Sequence, residues 1–174
     1  MSSKKEIKSL DDFNGLKLRL MSSKLLVEDY KAYGAAPTPM SYGEVYSGLQ
    51  MGLIDAQVNP LFAIYSMKFY EVQDYTSEVH YLFSLQPLVV GEKFFQSLSA
   101  EDQAMFTRAG IEAQQFNLLF SVTRSEEARQ NMMKKGVEYM DIEDEDQWSK
   151  MAVDAVWPKF YDSVGGKAEV DKVV

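Results

Sequence analysis

The sequence predicts an α/β domain built on a mainly parallel sheet. Three observations carry that expectation. Leu16, Leu18 and Leu20 alternate with Lys17 and Arg19, the period of two that marks a strand. Val45, Leu49 and Leu53 recur at every fourth position, the stripe of a helix with one buried face. The two patterns follow one another along the first half of the chain, as βαβ units require. At 174 residues, with 46% hydrophobic and 25% charged, the chain can bury one core.

The elements follow in order. Ser9 and the pair Asp11-Asp12 read as a capped turn before the first strand. Residues Ser22 to Tyr33 read as a helix that Gly34 ends. Pro37 and Pro39 hold the next stretch extended. Ser41 with Glu44 three residues on forms a capping-box pattern, and the helix it opens stops near Gly52. Ile54 to Val58 returns as a strand, and Pro60 opens a helix through Phe62, Ile64, Tyr65 and Phe69. Val79 to Val90 reads as one or two strands around Gln86-Pro87. Ser99 and Asp102 cap a long helix whose apolar stripe is Met105, Ala109, Ala113, Phe116 and Phe120, with Gly136 as its stop. Val137 to Ile142 is a short strand, and an amphipathic helix with Trp148, Met151, Ala155 and Val156 follows. The segment after Gly165-Gly166 closes the chain as a short helix.

Composition removes several function classes. A net charge of -8 and a pI near 4.7 do not suit a nucleic-acid surface or an anionic membrane surface. Without cysteine there is no thiolate chemistry, disulfide or Cys-based zinc site. One histidine, His80, supplies neither a metal cluster nor a nucleophile–base pair, so neither catalysis nor a cofactor is expected. The acidic run Asp141 to Asp146 lacks the central glycine of a calcium loop and reads as the negative start of a helix. No segment has the apolar length to span a bilayer. Met1-Ser-Ser-Lys-Lys has a charged start but no apolar run behind it, so it is not a secretory signal.

The strand–helix–strand unit from Gly15 to Pro60 can hold a carboxylate. Arg19 offers a planar fork that matches a carboxylate, and Asn59 offers a neutral donor. Each has a plainer reading: Arg19 as a strand-edge surface residue, Asn59 as a turn residue before Pro60. Tyr42 on its own reads as an amphipathic core residue. Ser22 is either a further donor or a helix cap. His80 reads as structural.

Gly15-Leu-Lys-Leu-Arg19, Pro37-Thr-Pro-Met40, Gly43-Glu-Val-Tyr46, Asp55-Ala-Gln-Val-Asn-Pro60 and Lys68-Phe-Tyr-Glu-Val-Gln73 stand in one order and spacing. The set resembles the extracytoplasmic solute-binding proteins of tripartite ATP-independent periplasmic (TRAP) transporters, the DctP type, from about Ile7 to the C-terminus. The resemblance implies a periplasmic-binding-protein-like fold: two α/β lobes, joined by long helices, that close on a small organic acid and present it to a membrane permease. By the same resemblance Arg19 forms the salt bridge to the ligand carboxylate, Asn59 donates to it and Tyr42 packs on its carbon chain. Ser22 is a further donor, and His80 or Tyr81 reaches the ligand. The family motif has Gly where Ala56 stands here.

The resemblance covers the later part of such a protein. It maps residues 1–84 to the second lobe, 85–124 to a passage through the first lobe and connecting helix, and 125–174 to the completion of the second. The first half, with a second ligand arginine and the signal peptide of a periplasmic protein, would lie upstream. Leu88, Val89, Phe94 and Phe95 are then expected to be exposed and to drive association of copies. Two functions follow as expectations: a carboxylate-binding receptor, or a non-binding structural or interaction protein that keeps part of the scaffold.

Overall fold

The computed structural model describes residues 1–79 and 86–172. Six strands form one sheet: β1 (Ser2–Ser3), β2 (Lys17–Leu20), β3 (Ala36–Pro39), β4 (Ala56–Gln57), β5 (Tyr75–Ser77) and β6 (Glu138–Met140), in the order β3-β2-β4-β1-β5-β6. The helices are α1 (Lys24–Ala32), α2 (Val45–Gln50), α3 (Leu61–Ser66), α4 (Glu92–Ser97), α5 (Ala100–Met133), α6 (Glu145–Met151) and α7 (Lys167–Val170). A π-helical turn, Ala152–Val156, extends α6.

Strands β3, β2 and β4 are mutually parallel, as are β5 and β6. The expected parallel sheet is therefore present in two blocks. Strand β1 joins them by running antiparallel to both β4 and β5. Two serines carry no period-two signal, so that strand was not predictable from pattern.

Helices cover both faces. On one, Leu16, Leu18 and Leu20 pack with Phe13, Leu26, Tyr30, Tyr33, Trp148 and Ala152. Trp148 anchors this side: its ring meets Phe13 edge-on at 4.8 Å and its Nε1 donates to Asp144 Oδ1 at 2.7 Å. On the other, Val45, Leu49, Ile54, Leu61, Ile64 and Phe69 pack with Ala128, Met132 and Val137.

Several boundaries depart from expectation. Leu53 is exposed, because α2 ends at Gln50 and Gly52 turns the chain with φ +70° before Leu53 can join the stripe. The Ser41 hydroxyl bonds the Glu44 carboxylate and does not cap the backbone. Ser23, not Ser22, caps α1, its Oγ accepting from Leu26 N. A strand not expected from the sequence stands at Tyr75–Ser77; of the stretch Val79 to Val90, expected to hold one or two strands, residues 86–90 are irregular and residues 80–85 lie outside the described residues.

Helix α5 is capped by Ser99 as expected and is 34 residues long, about 50 Å at 1.5 Å per residue. Its C-terminal part docks on α3 through Ala128 and Met132. Its expected apolar stripe does not reach a core: Met105, Phe116 and Phe120 are exposed. Leu88, Val89 and Phe94 are exposed too, and Phe95 is half-buried. No helix among the described residues is long and apolar enough to cross a membrane.

One buried acid gives a prediction. Asp29 on α1 is buried, and its Oδ1 has no hydrogen-bond partner among the described residues. Burial pushes its carboxyl up from 3.8 to about 6. A carboxyl whose folded value is raised costs stability wherever it is ionised, so the cost grows as pH rises from about 4 to 6 and then levels off. Asp29→Asn is expected to gain about 1–3 kcal/mol at pH 7.5, and little at pH 4. Urea unfolding at both pH values checks this; an equal change at both would refute it.

Candidate carboxylate site

The site is placed by strand register. Because β3, β2 and β4 are parallel, their carboxyl ends open on one edge of the sheet. The chain leaves β2 for β3 on one side, then crosses to β4 on the other, so the order reverses between β2 and β4. In open α/β sheets ligands bind outside the carboxyl ends of strands at such a reversal. Arg19 is the penultimate residue of β2, and Asn59 stands two residues beyond β4. Met40 and Tyr42 follow β3 directly.

Arg19 is 3% exposed, although it sits next to the leucines that fill the opposite face. Its Nε and Nη2 both donate to the Met40 carbonyl, at 3.0 and 2.7 Å. That carbonyl takes one edge of the fork, and among the described residues the Nη1 edge has no hydrogen-bond partner. No acid among the described residues pairs with Arg19; burial lowers its pKa, and the Tyr42 ring is the one group that counters. The guanidinium remains a cation at neutral pH. A cation taken out of water without a counter-charge is costly, and an incoming anion relieves that cost.

Tyr42 borders the cation. The Arg19 guanidinium carbon lies 5.9 Å from the ring centroid, at the outer reach of a cation–π contact. The ring also meets buried Phe69 at 6.2 Å in a T-shaped pair, yet remains 40% exposed. It is thus braced from below with a surface still open.

Asn59 is half-buried, and its Nδ2 donates to Gln57 Oε1 at 2.6 Å. Gln57 in turn donates from Nε2 to Ser2 Oγ at 2.9 Å. Gln57 is the register partner of Arg19 across β2 and β4. The structure therefore brings Arg19 and Tyr42 into contact and sets Asn59 on the side chain that neighbours Arg19. Ser22 is exposed in the loop after β2 and shares no hydrogen bond with them. His80 and Tyr81 lie outside the described residues.

Two participants carry no signal of their own in the sequence. The Met40 acceptor is a backbone carbonyl. Gln57 is visible only as a member of the Asp55 to Pro60 motif. A separate groove of about 340 Å³ between α3 and α5 is lined by Phe62, Tyr65, Phe120 and Arg124. Its cation is already paired, since Arg124 meets Glu127 at 3.1 Å. No group of three or more potential metal ligands occurs among the described residues.

Comparison with known proteins places the chain in a family. Residues 1–163 match the DctP family, described as bacterial extracellular solute-binding protein, family 7. The ectoine/5-hydroxyectoine-binding periplasmic protein UehA of Ruegeria pomeroyi is 39% identical over 120 residues, 69% of this chain and 35% of that protein. The 2,3-diketo-L-gulonate-binding periplasmic protein YiaO of Escherichia coli is 31% identical over 173 residues, 99% of this chain and 53% of that protein. A crystal structure of a TRAP periplasmic solute-binding protein from Rhodobacter sphaeroides, apo and open, superposes with a TM-score of 0.84 at 33% identity, covering 96% of this chain and 55% of that one. The chain spans about half the length of these proteins, or less.

The unpaired state of Arg19 makes a prediction about stability. Breaking a structural buried ion pair costs about 3–5 kcal/mol. Arg19→Met removes a cation that has no acid partner, and so is expected to stay within about 2 kcal/mol of wild type despite freeing the Met40 carbonyl. Urea denaturation measures it; a loss in the higher range would mark Arg19 as a stabilising residue and not a binding one.

Proposed function

The chain belongs to the DctP family of bacterial extracellular solute-binding proteins, and on that premise we propose that it forms the carboxylate-gripping lobe of a TRAP solute receptor. The observation that supports this most directly is Arg19: a buried fork held on one backbone carbonyl, with no acid beside it, at the carboxyl ends of parallel strands. In this reading the ligand carboxylate takes the free Nη1 edge of Arg19. Asn59 donates its remaining N–H to the same group, and the exposed face of Tyr42 packs on the ligand's carbon skeleton. The proteins it resembles are solute-binding receptors, not enzymes, and family members are periplasmic. The ligand here is accordingly a small organic acid, the compartment is the periplasm, and the partner that receives the ligand is the permease.

The exposed apolar residues of α5 and the segment before it offer the surface on which a first lobe would close. The same exposure favours the second reading, a scaffold whose role is association and not ligand binding.

Thermal shift and calorimetry with ectoine, 2,3-diketo-L-gulonate and succinate separate the two. The receptor reading expects at least one acid to raise the melting temperature of the wild type. Arg19→Ala abolishes the shift, and Arg19→Lys weakens binding about tenfold or more because an ammonium cannot make the paired contact. Asn59→Ala is expected to cost about three- to tenfold, the worth of one hydrogen bond to a charged group. Binding should fade below about pH 4, where the ligand carboxylate protonates while Arg19 does not. A cooperative melt that no acid moves would favour the scaffold reading.

A further inference from the structure

The register of the sheet puts a row of polar residues across it. Thr38, Arg19, Gln57, Ser2, Thr76 and Tyr139 are successive register partners on β3, β2, β4, β1, β5 and β6. Aligned partners share a face, and side chains alternate along each strand, so the row lies opposite Leu18 and Ala56. Its middle is dry: Arg19, Gln57, Ser2 and Thr76 are all buried. Polar groups kept this deep in a sheet need a reason beyond stability, because apolar residues fill such positions at no hydrogen-bonding cost.

Gln57 is the member whose amide uses both its oxygen and its nitrogen. It is 0% exposed; its Oε1 accepts from Asn59 and its Nε2 donates to Ser2. A carboxamide is the side chain that does both while bringing no charge beside Arg19. Glutamate would accept from Asn59 but would place a carboxylate next to the cation, as a built-in substitute for ligand. Methionine fills the same space and holds neither neighbour.

We propose that Gln57 is the positioning residue of the carboxylate site, anchored on Ser2 and orienting the Asn59 amide toward a carboxylate held at Arg19. The inference rests on the receptor reading for its purpose, but the Gln57–Asn59 contact is testable without any ligand. Gln57 acts through Asn59: it spends one Asn59 N–H so that the other has a fixed direction. It does not touch the ligand.

The experiment uses the full chain, 15N-labelled, with the Asn59 side-chain NH2 signals identified by their loss in Asn59→Ala. In wild type these signals are expected to be ordered and slow to exchange with solvent. Gln57→Met should render them mobile, while Gln57→Glu restores their order because the acceptor is kept. Ser2→Ala, which leaves both other residues intact, should loosen them partly and covers the case in which Gln57→Met fails to fold. An Asn59 amide unchanged in both Gln57→Met and Ser2→Ala overturns the proposal, whether or not any acid binds.

Where ectoine or succinate binds the wild type, Gln57→Met should weaken it about three- to tenfold, and by nothing further in an Asn59→Ala background. Equal losses in both backgrounds would show that Gln57 does not act through Asn59, and would also overturn it. Gln57→Glu is expected to lose binding while its Asn59 signals stay ordered. The absence of binding in wild type would count against the receptor reading alone, since the side-chain spectrum decides the role of Gln57 separately.

Discussion

A guanidinium removed from water and given no carboxylate stays in place here because one backbone carbonyl accepts from two of its nitrogens. That contact, Arg19 to Met40, ties the end of β2 to the end of β3 and sets the direction of the cation. It depends on register, since Arg19 must stand opposite Thr38 for Met40 to fall within reach two residues later. Register in turn depends on Leu16, Leu18 and Leu20, which pin β2 by filling the core on the opposite face. The geometry at Arg19 is therefore a consequence of ordinary apolar packing on the far side of the sheet.

A residue that improved the fold at position 19 would be apolar or paired. The chain keeps a group that hydrophobic burial disfavours and surrounds it with neutral acceptors and a ring: the Met40 carbonyl, the Gln57 amide and Tyr42. Such an arrangement holds unfavourable solvation in the fold that an anion at Arg19 would relieve. The scaffold bears it because Trp148 with Phe13 on one side, and Ile64 with Phe69 on the other, supply the packing.

Much of this was legible in the sequence where a pattern had room to repeat. The period-two leucines located β2, glycines Gly34, Gly52 and Gly136 marked real ends with positive φ, and Ser99 marked the start of α5. The motif residues Arg19 and Asn59 both stand at the carboxyl ends of parallel strands, Arg19 near the end of β2 and Asn59 two residues past β4. Elements of two or three residues were not legible: β1 and β5 are shorter than any period that defines them. The stripe on α5 was legible as an apolar face, but amphipathic spacing reports that a helix has such a face, not what covers it. The Met40 carbonyl was out of reach in principle, since every residue has one. Gln57 was passed over because an uncharged amide in a strand looks like a surface residue until its neighbours are known.

The two serines of β1 are the least conspicuous part of the sheet, yet they pair on both sides. Within the described sheet they stand between the parallel block of β3, β2 and β4 and the block formed by β5 and β6. One of them also accepts from Gln57. The seam between the blocks and the support of the site thus share a residue, so any slippage of that seam would be felt at Asn59. A short splint of this kind makes the site a gauge of whether the sheet is whole: its amide falls into line only once both blocks have been stitched together.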